Sequence, residues 1–312
     1  MASQAKLSRM SINKILLATD FSPESQNALR YAAFLAKRSN STLFLMHVLS
    51  DKRSVATGEM WPALKDLAQH NAEKNMAKLQ NMDDLNCLPH EVIIRSGDTC
   101  DVISRVVSDK NVDLIVVGTQ GHRGITKLFL GSTAERVLRH ASCPVLTVGP
   151  HVPSLCLNRF GHILCASDFC FGSRRALNFA VSLATNDRAR LTLLHVVESD
   201  PGSQSGLLEW KRLDREKLRQ MVPPDADLAC EPEIEVEIGM AEAEILRLAI
   251  HRKAELIVMG CHFGGPASTH LPWTTVHHVL QHAPCPVLTI RGDRPELNGI
   301  DDGQSSRDWF GE

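Results

Sequence analysis

The chain repeats itself, and that duplication limits its fold more than any other feature. INKILLATDFSPESQNALRYAAFLAKRSNSTLFLMHV (12–48) aligns with GHILCASDFCFGSRRALNFAVSLATNDRARLTLLHV (161–196), so Asp20 falls on Asp168 and His47 on His195, an offset of 148 each time. GDTCDVISRVVSDKNVDLIVVG (97–118) aligns with GMAEAEILRLAIHRKAELIVMG (239–260) at an offset of 142, which holds through CPVLTV (143–148) and CPVLTI (285–290). The second copy has lost six residues between its second and third apolar runs. Strings this long do not match by chance, and 312 residues suit two domains of about 100–200 residues each.

Each copy alternates short apolar runs with helical patterns. In the first, KILLAT, STLFLMHV, HEVIIR, DLIVVG and PVLTV read as strands, with helices expected near 22–39, 62–80, 99–110 and 131–140. Ser22-Pro23-Glu24 is a strong helix start: a capping hydroxyl, proline in the first turn and an acid at the positive end of the dipole. Strands apolar on both faces, alternating with helices, predict an α/β fold in which each copy is a five-stranded parallel sheet covered by helices on both sides. Right-handed crossovers make each copy a doubly wound, Rossmann-like domain. The expected domains are 1–150 and 160–291, joined by a proline-bearing linker at 151–159 and followed by a polar, mobile tail at 292–312.

A formal charge of −2 and 22% charged residues give no electrostatic case for nucleic acid or a membrane surface. No apolar run reaches the roughly 18 residues of a membrane span, and the polar start MASQAKLSRMSINK has no signal-peptide core. Nine cysteines without a CxxC pair suit reduced thiols, so a cytoplasmic location is expected.

The stretch VVGTQGHRGITKLFLGST (116–133) places glycines at 118, 121, 124 and 131 between a strand and a helix. In a doubly wound sheet, ligands sit beyond the carboxyl ends of the strands. Glycine lets backbone amides approach a ligand, and Gly131-Ser132-Thr133 opens a helix whose free N–H groups and dipole favour an anion. A phosphate cradle is one reading, and a flexible connector with a glycine at the helix cap is the other. Neither GxGxxG nor GxxxxGK[ST] occurs.

Gly118-x2-Gly121-x9-Gly131-Ser132 matches the G-2x-G-9x-G-[S/T] signature of the ATP-binding universal stress proteins. ILLATDFS, LFLMHV, DLIVVGTQGHRG and GSTAERVLRHASCPVLTV resemble that family too, and the likeness spans nearly all of both copies. It implies two tandem domains of the adenine nucleotide α-hydrolase-like type, a stress-response role and ATP as ligand, with magnesium left open. It puts Ala18, Thr19 and Asp20 against the adenosine, the backbone of Val48 at the adenine edge, and Gly118, Gly121, Gly131, Ser132 and Thr133 around ribose and phosphates. His122 falls near a phosphate or toward solvent. Read without the family, Asp20 is equally a turn or capping residue and Val48 a core residue. Because single-domain relatives pair through their last strand, the likeness also implies that CPVLTV and CPVLTI pair within the chain as a pseudo-dimer. It leaves a homodimer of the whole chain open.

The second copy keeps only part of the signature. Gly260 matches Gly118, but Phe263 stands for Gly121 and Trp273 for Gly131, with Thr274 and Thr275 following. Large side chains fill space that a phosphate needs, so one competent site is expected, in the first copy. Asp168 and Val196 persist, leaving room for an adenine-sized recess. His278 and His282 share a helix face at i, i+4, the spacing of a metal pair. No second Cys/His pair completes a set, and a polar helix end explains them as well, so no metal site is assigned. The loop supplies His122, Arg123 and Lys127 but neither paired carboxylates for magnesium nor a clear general base, so no catalytic residue is assigned. Three function classes follow: a nucleotide-dependent signalling or protective module, a slow ATPase, and an interaction module that takes an apolar ligand or a metal through the second copy.

Overall fold

The computed structural model describes residues 12–50, 61–119, 130–154, 158–198, 207–261 and 273–292. Gly121, His122, Arg123, Lys127, Phe263, His262, His270 and the tail from 293 lie outside the described residues, and Trp273 is placed by its backbone alone. The first copy runs β1 (Lys14–Ala18), α1 (Pro23–Ser39), β2 (Thr42–Leu49), α2 (Trp61–Gln80), a 3₁₀ turn (Asp83–Leu85), β3 (His90–Ser96), α3 (Thr99–Lys110), β4 (Leu114–Gly118), α4 (Ser132–His140) and β5 (Val145–Val148). The second repeats it: β6 (His162–Ala166), α5 (Phe171–Asp187), β7 (Arg190–Val197), α6 (Leu207–Met221), β8 (Glu233–Ile238), α7 (Ala241–His251), β9 (Leu256–Cys261), α8 (Trp273–His282) and β10 (Val287–Arg291).

All ten strands form one sheet in the order β3-β2-β1-β4-β5-β10-β9-β6-β7-β8. Pairing is parallel inside each copy and antiparallel where β5 meets β10, with Leu146 opposite Leu288. Two threonines mark the local twofold relation of that seam. Thr147 Oγ1 donates to the carbonyl of Val287 at 3.1 Å, and Thr289 Oγ1 donates to that of Val145 at 3.3 Å.

Period-two alternation sends successive strand residues to opposite faces. Leu17, Leu45 and Val116 meet α1 and α2 on one face, while Leu16, Met46 and Val117 meet α3 and α4 on the other. Both clusters continue into the second copy, so one core runs along each face of the whole sheet. Burying each such side chain contributes about 1.5–3 kcal/mol.

Local signals set the helix ends. Ser22 Oγ accepts from the N–H of Ser25 at 3.2 Å, Pro23 opens α1, and Asn40 ends it with φ of 52°. In α5 the sulfur of Cys170 takes the Ser22 role, and Arg188 closes the helix with φ of 51°. The linker lies on α1: Tyr31 Oη donates to the carbonyl of Pro153 and Asn27 Nδ2 to that of Val152, both at 3.1 Å. Phe160 meets Phe34 edge-on at 5.3 Å. Asp187 then joins the copies, accepting from the N–H of Phe160 at 2.7 Å and pairing with Arg38 of α1. Among the described residues no helix is long and apolar enough to cross a membrane.

Candidate functional site

Within the first copy the strand order reverses between β1 and β4, and at such a switch point the carboxyl ends of the strands leave a crevice. The chain leaving β1 turns sharply there. Phe21 has φ of 66°, costly for a residue with a side chain, and the turn's hydrogen bonds hold it in place. The Phe21 N–H donates to Thr19 Oγ1 and the Ser22 N–H to Asp20 Oδ1, both at 3.0 Å, the latter an Asx turn. His47, near the end of β2, donates Nδ1–H to the carbonyl of Thr19 at 2.7 Å and lies against the Phe21 ring at 4.4 Å. Burial pushes its pKa below the ordinary value, so the ring stays neutral at pH 7. Thr19 therefore serves the turn: its N–H donates to Met46, its carbonyl receives His47, and its hydroxyl bonds Ser25 Oγ at 2.9 Å. Ala18 and Val48 sit partly buried against the cluster on the α3–α4 face.

Gly118 ends β4 where the first turn of α1 crosses it. A Cβ there would lie 3.2 Å from the backbone of Glu24 and Ser25, so helix packing alone accounts for the missing side chain. The next residue, Thr119, carries no motif signal in the sequence. It is buried, its carbonyl accepts from the N–H of Gly131 at 2.7 Å, and its Oγ1 has no hydrogen-bond partner among the described residues. Through that bond the end of β4 reaches the start of α4. Gly131 is the N-cap of α4 with an ordinary φ of −59°, and among the described residues no side chain caps the helix. Ser132 and Thr133 are exposed beside it. An uncapped helix start next to an unsatisfied buried hydroxyl, at a topological switch point, fits an anionic ligand.

One ion pair ties that helix start down. Arg136 of α4 donates through both terminal nitrogens to the carboxylate of Asp98, at 2.9 Å each, and Asp98 is itself the N-cap of α3. The guanidinium holds the Asp98 carboxyl well below the usual carboxylate range.

The second copy shares the backbone and differs in its side chains. Phe169 repeats the strained turn with φ of 64°. Asp168 Oδ1 accepts from the Ser173 hydroxyl and the Cys170 N–H, while Oδ2 is buried without a hydrogen-bond partner among the described residues. His195 donates to the carbonyl of Ser167 at 2.8 Å, and its Nε2 lies 3.9 Å from the buried Asp214 of α6, which also pairs with Lys217. At the start of α8, Thr275 is buried and donates to Glu242 Oε2 at 3.4 Å. Glu242 occupies the register position of Cys100 and so sets a carboxylate against Thr275 of α8, where the first copy carries a thiol. His278 and His282 stack at 4.3 Å, and His282 Nδ1 donates to the carbonyl of His278 at 2.9 Å, a capping interaction at the helix end. Among the described residues no group of three metal-ligating side chains forms.

Of the expected site residues, Ala18, Thr19, Asp20, Val48, Gly118, Gly131, Ser132 and Thr133 lie at strand carboxyl ends or at the start of α4.

Comparison with known proteins agrees with the duplication. A family model described as the universal stress protein family matches twice, over residues 11–149 and 159–291. A universal stress protein of Mycolicibacterium smegmatis is 25% identical over 285 residues, spanning 89% of this chain and 96% of its own. A universal stress protein A homolog of Coxiella burnetii is 34% identical over 146 residues, 45% of this chain and 97% of its own. In fold, the crystal structure of a universal stress protein from Archaeoglobus fulgidus covers 90% of this chain and 99% of that one, with a TM-score of 0.67 and 22% identity.

Proposed function

We propose, on the premise that this chain belongs to the universal stress protein family, that its first copy binds an adenine nucleotide, ATP foremost. The bound nucleotide biases which surface the protein presents during a stress response. The observation that carries this reading is the start of α4 beside Thr119, whose N–H groups no side chain caps among the described residues and which suits phosphate oxygens. Ser132 and Thr133 add hydroxyl donors, Asp20 takes ribose hydroxyls, and the backbone of Val48 meets the adenine edge. Gly121 and His122 enter on the spacing of the motif alone. The two copies act as unequal domains, 1–150 with the working site and 160–291 without it. Hydrolysis is no part of the proposal.

Calorimetric titration of ATP, ADP and AMP, with and without magnesium, tests it beside a Gly131→Glu variant. One nucleotide per chain, lost in the variant, is the expected result. A stoichiometry near two overturns the inequality of the copies, and no binding at millimolar nucleotide overturns the reading itself.

A further inference from the structure

In the first copy one carboxylate serves two helices. Asp98 Oδ1 accepts from the N–H of Cys100 at 3.0 Å and of Asp101 at 3.3 Å, capping α3. The same carboxylate receives Arg136 Nη1 on Oδ2 and Nη2 on Oδ1. A two-pronged guanidinium–carboxylate contact fixes orientation as well as distance. Arg136 lies four residues beyond Ser132, so the pair fastens α4, one turn past its start, to the first turn of α3.

That fastening matters because α4 has little else to orient it. With nine residues it is far shorter than a helix that is stable alone, so tertiary contacts set its direction. Among the described residues its N-terminal side is held by the Gly131–Thr119 backbone bond, and its buried residues Ala134, Val137 and Leu138 fix one face. The second copy has lost the pair: Met240 stands for Asp98 and His278 for Arg136, and α7 takes a weaker cap from Glu198 Oε1 on the Ala241 N–H at 3.4 Å.

We infer that Asp98 and Arg136 are positioning residues for the phosphate-binding end of α4, holding its free N–H groups in place without touching the ligand. The inference rests on the reading that the first copy binds nucleotide phosphates. Arg136 has its charge matched by Asp98, so it acts as a strut.

The test is a double-variant cycle on the full chain, with ATP and adenosine as probes, joined to amide exchange over residues 131–135. Asp98→Asn keeps an N-cap for α3 and removes only the charge pair. Arg136→Gln and Asp98→Asn should each weaken ATP binding about five- to tenfold, and the double variant no further, as for two residues in one unit. Adenosine affinity should change by less than about twofold, because the adenosine contacts lie on β1 and β2. Arg136→Lys should recover part of the loss, and exchange at 131–135 should quicken in Arg136→Gln. If Asp98→Asn instead tightens ATP while Arg136→Gln weakens it, Arg136 meets phosphate directly and the inference fails. It also fails if exchange at 131–135 is unchanged. Absence of ATP binding in the unaltered chain removes the functional reading, while the exchange result still decides whether the pair holds α4.

Discussion

The two copies agree in backbone where agreement is hardest to keep, and disagree in side chains at one sheet edge. Phe21 and Phe169 share a positive φ, and so do Gly97 and Gly239. Lys14 and His162 stand at the same register position, and each donates to an equivalent carbonyl, that of Lys110 or Arg252. These features belong to folding, and both copies need them whatever they bind. The differences gather at the last helix: Gly131 against Trp273, exposed Thr133 against buried Thr275, Cys100 against Glu242, and Asp98–Arg136 against Met240–His278. Glu242 is the most informative of these, because it puts a carboxylate on the Thr275 hydroxyl at a position where the first copy has the buried Cys100. Backbone features that the fold needs stay alike in the two copies, while the side chains around the last helix differ.

The comparison can be broken in four places. Moving the carboxylate across, Cys100→Glu should weaken ATP binding by about a hundredfold through like-charge repulsion, with the calorimetric titration as readout; unchanged affinity would remove Glu242 as a cause of degeneracy. Next in size, Gly260→Ala and Gly118→Ala should both destabilise, but unequally. A Cβ at Gly260 would overlap the Ser173 backbone, whereas the closest approach at Gly118 is 3.2 Å. Denaturant unfolding should report about 3 kcal/mol and about 1 kcal/mol respectively. Third, Asp187→Ala strands the buried N–H of Phe160 and removes the ion pair with Arg38, which keeps its bonds to the carbonyls of Asn158 and Asn186; the cost should be about 2 kcal/mol, whereas Ser39→Ala at the matching exposed position should stay within about 0.5 kcal/mol.

The smallest effect concerns acid. Burial lowers the pKa of His162 below its ordinary 6.5, so below that pH the unfolded chain binds the extra proton and the folded chain resists it. Stability therefore rises with pH through that window and is lost as pH falls. His162→Lys, copying Lys14, should flatten part of the acid loss in a series of melting curves; an unchanged slope would assign the loss elsewhere, His47 first.

Strand number, parallel pairing and helix limits were legible because they rest on local patterns repeated twice. Ser22-Pro23-Glu24 predicted the start of α1 to the residue. The glycine at 118 was legible as a requirement, though its packing cause was not, since the crossing of Glu24 and Ser25 over β4 joins residues more than ninety positions apart. Asp98 with Arg136 and Glu242 with Thr275 were hidden for the same reason: each pair spans two helices, and nothing in either neighbourhood names the partner. The left-handed Phe21 carried no glycine to announce it. Its one available signal was Asp-Phe recurring at the same place in both copies.

The seam between β5 and β10 has a consequence for signalling. Separate chains joined through such an edge would assemble and part with concentration, and a ligand could act by shifting that balance. Here Thr147 and Val287 lie 140 positions apart on one chain, so the edge closes as a first-order event at fixed effective concentration and ignores dilution. Abundance of the protein cannot switch this joint on or off. Any concentration-dependent assembly of this chain has to use a surface other than this seam, such as the outer strands β3 and β8.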